Sequence, residues 1–183
     1  MRSNIIAFDD GTYYYIQEIN DERGHFLEAG DAVNTGLIVA YGIDYDEDDS
    51  FDENLMRLYE AIEEAKEEEK LLDRIHKMRT LRDNRDRLVN AYEATRDKTP
   101  DDTIDALIED AGSILAREII AQAIIVHSYD GRISRKAKEW AKTRTTTTEE
   151  EMIDAGVYYD SYIHMAHLNQ IAEAMMKREG GER

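Results

Sequence analysis

The chain has no cysteine, one proline and no apolar run close to the length of a membrane span. Without cysteine there are no disulfides and no thiolate metal sites, which fits a reducing compartment. A membrane-spanning helix needs roughly 20 apolar residues, so we expect no membrane partner. The first ten residues turn acidic too soon for a secretory signal peptide. We therefore expect a cytoplasmic protein.

Glutamate, lysine, alanine and leucine are abundant, and helix breakers are rare, which predicts a mainly α-helical protein. Residues 1–43 differ, because three β-rich runs at 3–8, 12–18 and 36–43 are separated by turn residues. These runs predict a small N-terminal antiparallel β-sheet. The expected fold class is therefore α+β, mainly α.

Residues 54–98 contain no glycine and no proline, and their apolar residues recur at three- and four-residue steps. This pattern predicts one long helix or a helical hairpin. Residues 99–178 are expected to form a helical core around the apolar run 113–126, with a last helix from Thr148 to about Lys177 and a frayed tail at 179–183. The apolar faces exceed what one small domain hides, so we expect a homodimer.

The formal net charge is −18, and residues 1–53 contribute −12 of it, since they hold 14 acids and only Arg2 and Arg23 as bases. Such a field repels nucleic acid and attracts basic protein surfaces. Residues 132–144 form a basic island of six cationic side chains, which are too few for independent nucleic-acid binding. We expect this island to dock instead on the acidic N-terminal region of the same chain or of a second copy.

The densest acidic stretch is residues 44–53. Two interpretations are open: a solvated linker, or a strip that imitates spaced phosphates and binds a basic protein partner. In the second case the contact residues are the acids and the two aromatic residues among them: Asp44, Tyr45, Asp46, Glu47, Asp48, Asp49, Phe51, Asp52 and Glu53.

Enzyme signatures are missing from the sequence, which has no glycine-rich phosphate loop, nucleophile elbow or HExxH motif. We expect a protein that is not an enzyme and has no cofactor. One local pattern suggests a metal: Asp160, His164 and His167 would share a face of the last helix, with His76 or His127 as a further ligand. The alternative is a pair of partly exposed histidines beside an apolar stripe.

Tyr129-Asp130-Gly131-Arg132-Ile133-Ser134, followed by Glu139-Trp140-Ala141, predicts a helix–turn–helix corner with a core tryptophan. The same residues resemble the signature of an uncharacterised family carried on mobile elements of gut bacteria, over about residues 100–145. The chain also looks like a type II-A anti-CRISPR protein.

That resemblance implies an inhibitor in the bacterial host that binds guide-loaded Cas9 and hinders target DNA engagement, with residues 44–53 as the contact. Two alternatives stay open: a helical adaptor of a phage or conjugative element, and a metal-dependent hydrolase.

Overall fold

The computed structural model describes residues 5–34 and 36–181. It confirms a mainly helical α+β chain with an N-terminal antiparallel sheet. The chain divides into two compact units, Met1–Leu72 and Asp73–Arg183, and the boundary lies within one long helix. Among the helices in the described ranges, none combines the length and apolar character needed to cross a bilayer.

The first unit contains four strands in the order β1-β2-β3-β4, all antiparallel: β1 Ile5–Ala7, β2 Tyr13–Asp21, β3 Gly24–Val33 and β4 Gly36–Asp44. The prediction of three strands was wrong, because it missed β3. Glycine, alanine and polar residues give β3 a weak strand signal, and pairing with a neighbour on both sides makes it a strand. The first predicted strand began at residues 3–4, which lie outside the described residues.

Helix α1 (Phe51–Ala94) is a single continuous helix and not a hairpin. Its N-terminal part covers one face of the sheet, where Leu58 and Ile62 are fully buried against Ile16 and Leu27. A bulge interrupts the pairing of β3 with β4 next to Gly30. A Cβ atom at Gly30 would lie 1.9 Å from the Ile38 carbonyl oxygen, so only glycine fits this approach of the two strands.

The second unit is helical. It contains the C-terminal part of α1 together with α2 Pro100–Ala111, α3 Ser113–Val126, α4 Arg135–Lys142, α5 Glu149–Asp154 and α6 Met165–Glu179. Helix α3 is the most apolar and lies at the centre, in contact with α2, α4, α5 and α6. Trp140 is buried in this core, and its indole N–H donates to the Glu179 carboxylate at 2.6 Å.

The expected helix starts at Thr99 and Thr148 are confirmed, and each has a complete capping box. The expectation of one last helix from Thr148 to about Lys177 was wrong. The chain leaves helical geometry at Gly156, which takes φ +65°, and helix resumes only at Met165. Between them Tyr159 and Ile163 are fully buried, which holds the non-helical segment in place. Of the predicted tail, residues 182–183 lie outside the described residues.

Candidate interaction site

The acidic segment 44–53 is not an extended linker. Asp44 ends β4, residues 45–50 form a turn, and Phe51, Asp52 and Glu53 are the first turn of α1. Like charges favour an extended chain, and specific hydrogen bonds oppose that tendency here.

Asn54 supplies most of those hydrogen bonds and is fully buried. Its side-chain oxygen accepts from the Asp46 N–H at 2.8 Å, and its amide nitrogen donates to the Asp46 carbonyl at 2.9 Å and to the Ser50 carbonyl at 3.1 Å. One amide thus joins both ends of the turn to the start of α1. Burial of a polar side chain is favourable only when its hydrogen bonds are made, and these contacts meet that condition.

The helix start fixes the other end of the segment. The Ser50 hydroxyl accepts from the Glu53 N–H at 3.3 Å, and the Glu53 carboxylate accepts from the Ser50 N–H at 2.8 Å. The Ser50 hydroxyl also donates to the Glu53 carboxylate at 2.6 Å, and this bond, together with the one from the Ser50 N–H, holds the pKa of Glu53 below its usual value. Asp52 and Glu53 also lie at the positive end of the helix dipole, which favours carboxylates.

His25 on β3 contacts two residues of the segment. Its ring stacks on Tyr45 with centroids 3.9 Å apart, Nδ1 contacts the Glu47 carboxylate, and Nε2 lies 2.8 Å from Glu18. The Glu47 carboxylate, and then that of Glu18, raise the pKa of His25 although partial burial opposes this. Sequence reasoning missed His25, because pairing of β3 with β2 and β4 brings it to the turn.

The nine predicted contact residues therefore have different environments. Tyr45 and Phe51 are half-buried and pack against the core of the first unit. Arg57 lies 4.0 Å from both Asp46 and Asp49. Three exposed carboxylates accept no hydrogen bond and have no ionic partner within residues 5–34 and 36–181: those of Asp44, Asp48 and Asp52. The exposed Glu53 carboxylate also lacks an ionic partner among these residues, but it accepts from Ser50.

Strand β4, which leads into this turn, is an edge strand of the sheet. The backbone groups of Gly36–Asp44 that point away from β3 have no hydrogen-bond partner among the described residues. Its side chains are mostly apolar, and Ile38 and Val39 are exposed. The strand has no lysine or proline, which commonly block edge pairing. The arrangement offers an extended segment a row of hydrogen bonds beside three free carboxylates.

The predicted metal residues are not brought onto one helix face. Asp160 lies in the non-helical segment, and His164 is the N-cap of α6, so the helical spacing assumed for them was wrong. The His164 and His167 rings are 5.9 Å apart, and His167 Nδ1 is 2.7 Å from the Tyr92 hydroxyl. Across the described residues, no group of three or more histidines or carboxylates is placed to hold a metal ion.

His127, considered as a further ligand, is fully buried and makes a structural contact instead. Its Nε2 accepts a hydrogen bond from the Tyr159 N–H at 2.8 Å, which requires the neutral ring. Burial lowers the pKa of His127, against the opposing effects of Asp160 and Asp130.

The signature residues form the predicted corner between α3 and α4. Arg132 forms hydrogen bonds to the Asp130 carboxylate at 2.8 and 3.0 Å, and Ile133 is buried. The Ser134 hydroxyl caps α4 by accepting from the Ala137 N–H at 3.2 Å. Gly131 has no positive φ, so the corner turns without a left-handed glycine at this position. Among the signature residues, the side chains of Tyr129, Arg132 and Glu139 are exposed, and those of Ile133, Trp140 and Ala141 are buried.

Comparison with known proteins places the chain in context. The model of a protein family described as "Protein of unknown function (DUF3849)" matches residues 60–173, more than half of the chain. No curated protein and no solved structure matches it. The matched range includes the whole signature, whereas the sheet and the acidic turn precede it.

Proposed function

The chain belongs to the DUF3849 family of proteins of unknown function, and we propose that it is a mobile-element-encoded inhibitor of a host defence nuclease. The target we propose is Cas9 carrying its guide RNA. The protein binds the nuclease and hinders engagement of target DNA, and it acts by occupying a surface and not by catalysis.

The observation that carries this proposal is the ordered acidic turn. Asn54 and the Ser50–Glu53 cap hold the backbone, so that Asp44, Asp48 and Asp52 are exposed and free of ionic partners among the described residues. A preorganised site loses less conformational entropy on binding than a flexible linker does. Cas9-type nucleases hold nucleic acid in positively charged channels. Carboxylates fixed on a chain of net charge −18 are suited to compete for such a channel.

Plasmid cleavage by several guide-loaded Cas9 orthologues, with and without the protein, tests the proposal. The test variant is Asp44→Asn/Asp48→Asn/Asp52→Asn. The matched control, Glu64→Gln/Glu68→Gln/Glu69→Gln, removes the same charge from exposed residues of α1 and likewise changes the net charge from −18 to −15.

We expect the turn variant to inhibit at least about tenfold more weakly than the control variant, a loss of roughly 1.4 kcal/mol in binding. Association should also slow as salt rises, because screening acts over about 8 Å at physiological ionic strength. If no orthologue is inhibited, the nuclease target is rejected. If both variants weaken inhibition equally, net charge alone explains the loss and the turn is rejected as the contact.

We also propose that the protein forms a homodimer through the middle of α1. Leu71, Leu72 and Ile75 lie at helical spacing and are 55%, 59% and 37% exposed. An apolar stripe on a helix is normally covered by a partner. The same stripe suits the alternative function of a helical adaptor, in which the partner is a different protein.

Light scattering at micromolar concentration tests the dimer. Leu71→Gln/Ile75→Gln should give the monomer mass, because both apolar side chains are lost from the interface. Met56→Gln/Ile114→Gln, which changes two exposed apolar residues elsewhere, should remain dimeric. A monomer mass for the unaltered chain contradicts the homodimer and favours the adaptor.

A further inference from the structure

A groove in the second unit lies where the C-terminal end of α3, helix α4 and the loop 143–148 meet. It has a volume of about 480 Å³. Ile125, which is half-buried, supplies its accessible apolar part, whereas Ile124 lies beneath the surface and is fully buried. Lys138 and Lys142 lie one helical turn apart on α4 and also line the groove. The remaining lining residues are polar: Ser128, Thr145, Thr146, Thr147, Thr148 and Glu149.

The two lysines differ from the arginines of the same basic island. Arg132, Arg135 and Arg144 pair with Asp130, Glu139 and Glu179. Neither lysine forms an ion pair with any described residue, although the chain has 41 acidic residues. Glu149 lines the groove but is not within ion-pair distance of either amine. Like charges at i and i+4 repel, so an anion bound between the two amines would be stabilised.

The loop that completes the groove is held by a buried polar chain. Asn84 on α1 donates to the Gln122 side-chain oxygen at 3.1 Å, and Gln122 donates to the Thr147 hydroxyl at 3.3 Å. All three side chains are buried, so these hydrogen bonds fix the loop in low-dielectric surroundings. The hydroxyls beside Thr147 therefore have defined positions.

Those hydroxyls retain hydrogen atoms to donate. Thr145 Oγ1 accepts from the Thr147 N–H at 3.1 Å, which leaves its own O–H available. The Ser128 and Thr146 hydroxyls make no hydrogen bond to a described residue. Two amines and three hydroxyl donors match a doubly charged anion with several acceptor oxygens, and the accessible side chain of Ile125 matches an apolar body attached to it.

We infer that this groove binds a small organic phosphate, with the phosphate group between Lys138 and Lys142 and the apolar body against Ile125. The site lies in the second unit and within the matched range 60–173. It does not depend on the proposed inhibition of a nuclease, which rests on the first unit.

Calorimetric titration of the full chain at physiological ionic strength tests the inference with three probes: phenyl phosphate, benzoate and inorganic phosphate. We expect phenyl phosphate to bind most tightly. Benzoate lacks the second charge, and inorganic phosphate lacks the apolar body. Lys138→Gln/Lys142→Gln should weaken phenyl phosphate binding by at least about tenfold, as expected when two close charge partners are removed.

Lys136→Gln/Lys177→Gln is the matched control, because it removes two exposed lysines outside the groove and should leave the affinity within about twofold. Glu149→Gln should tighten binding, since it removes a negative charge from the lining. Circular dichroism confirms that each variant is folded. Absence of saturable phenyl phosphate binding, or an equal loss in both lysine variants, would overturn the inference. If benzoate binds as tightly as phenyl phosphate, the inference that the groove recognises a phosphate group is rejected.

Discussion

Replacement of Asn54 by alanine tests whether this side chain orders the acidic turn. The change removes the three hydrogen bonds that hold the turn most closely, at 2.8 Å from the Asp46 N–H and at 2.9 and 3.1 Å to the Asp46 and Ser50 carbonyls. It also removes a 3.5 Å contact to the Asp49 carbonyl and the bond accepted from Arg57 at 3.2 Å. A net contribution of about 0.5–1.5 kcal/mol per bond applies to the two shorter ones. The Ser50 carbonyl keeps the Asn54 backbone N–H as a donor. The closed turn should therefore lose about 2 kcal/mol.

Amide hydrogen exchange followed by NMR measures this local loss. The informative amide is that of Tyr45, which donates to the His25 carbonyl at 2.9 Å and has no bond to the Asn54 side chain. A loss of about 2 kcal/mol corresponds to roughly a 30-fold faster exchange through opening of the turn. The Met56 to Leu58 amides provide the control, because alanine is a good helix former and α1 should be unaffected.

Asn54→Asp separates the two functions of the amide. Aspartate can still accept from the Asp46 N–H, but it cannot donate to the carbonyls and it adds a charge beside Asp46 and Asp49. We expect exchange at Tyr45 at least as fast as in the alanine variant. Unchanged Tyr45 exchange in both variants would refute the view that Asn54 orders the turn.

Three further predictions concern stability. Trp140→Ala should lower the free energy of unfolding by about 3–5 kcal/mol because it opens a cavity in the core, and Trp140→Phe should lower it by less. Urea unfolding followed by circular dichroism measures both changes. An unchanged unfolding midpoint for the alanine variant would contradict the packing of Trp140 in the core. His25 has a raised pKa, so its stabilisation of the first unit is present below its usual pKa of 6.5 and is lost as the pH rises through the folded-state pKa. His127 has a lowered pKa, so its contribution to the second unit is present above 6.5 and is lost as the pH falls. These opposite signs are checked by urea unfolding at several pH values, with NMR signals reporting on each unit and His25→Gln and His127→Gln as reference variants. Equal slopes of unfolding free energy against pH for the two units would contradict the prediction. Tyr159→Phe should not destabilise the protein, since the buried Tyr159 hydroxyl has no hydrogen-bond partner among the described residues; a lower melting temperature would contradict this.

Features set by short-range chemistry were predictable from the sequence. The capping boxes at Thr99 and Thr148 depend on residues three positions apart, and both helices start there. Periodic apolar residues identified α3 as a core helix and placed Trp140 in the core, because a helical face follows directly from spacing. The fold class was predictable for the same reason.

Features set by contacts between distant residues were not predictable. β3 has a weak local strand signal, and the last helix was expected to continue through residues 157–163, where burial of Tyr159 and Ile163 holds a non-helical segment. That break also removed the helical spacing of Asp160, His164 and His167.

Some features of the acidic segment follow from the local sequence, and others depend on contacts between distant residues. Its composition and charge can be read from the sequence, and so can the serine and glutamate that cap α1. Only the tertiary structure decides which carboxylates are free, because His25 reaches Glu47 through the pairing of β3 with β4, and Asn54 reaches Asp46 only after the chain has turned. The sequence by itself determined an acidic surface, and the tertiary structure decided that this surface is an ordered turn, since long-range hydrogen bonds overcome the repulsion that would otherwise extend it.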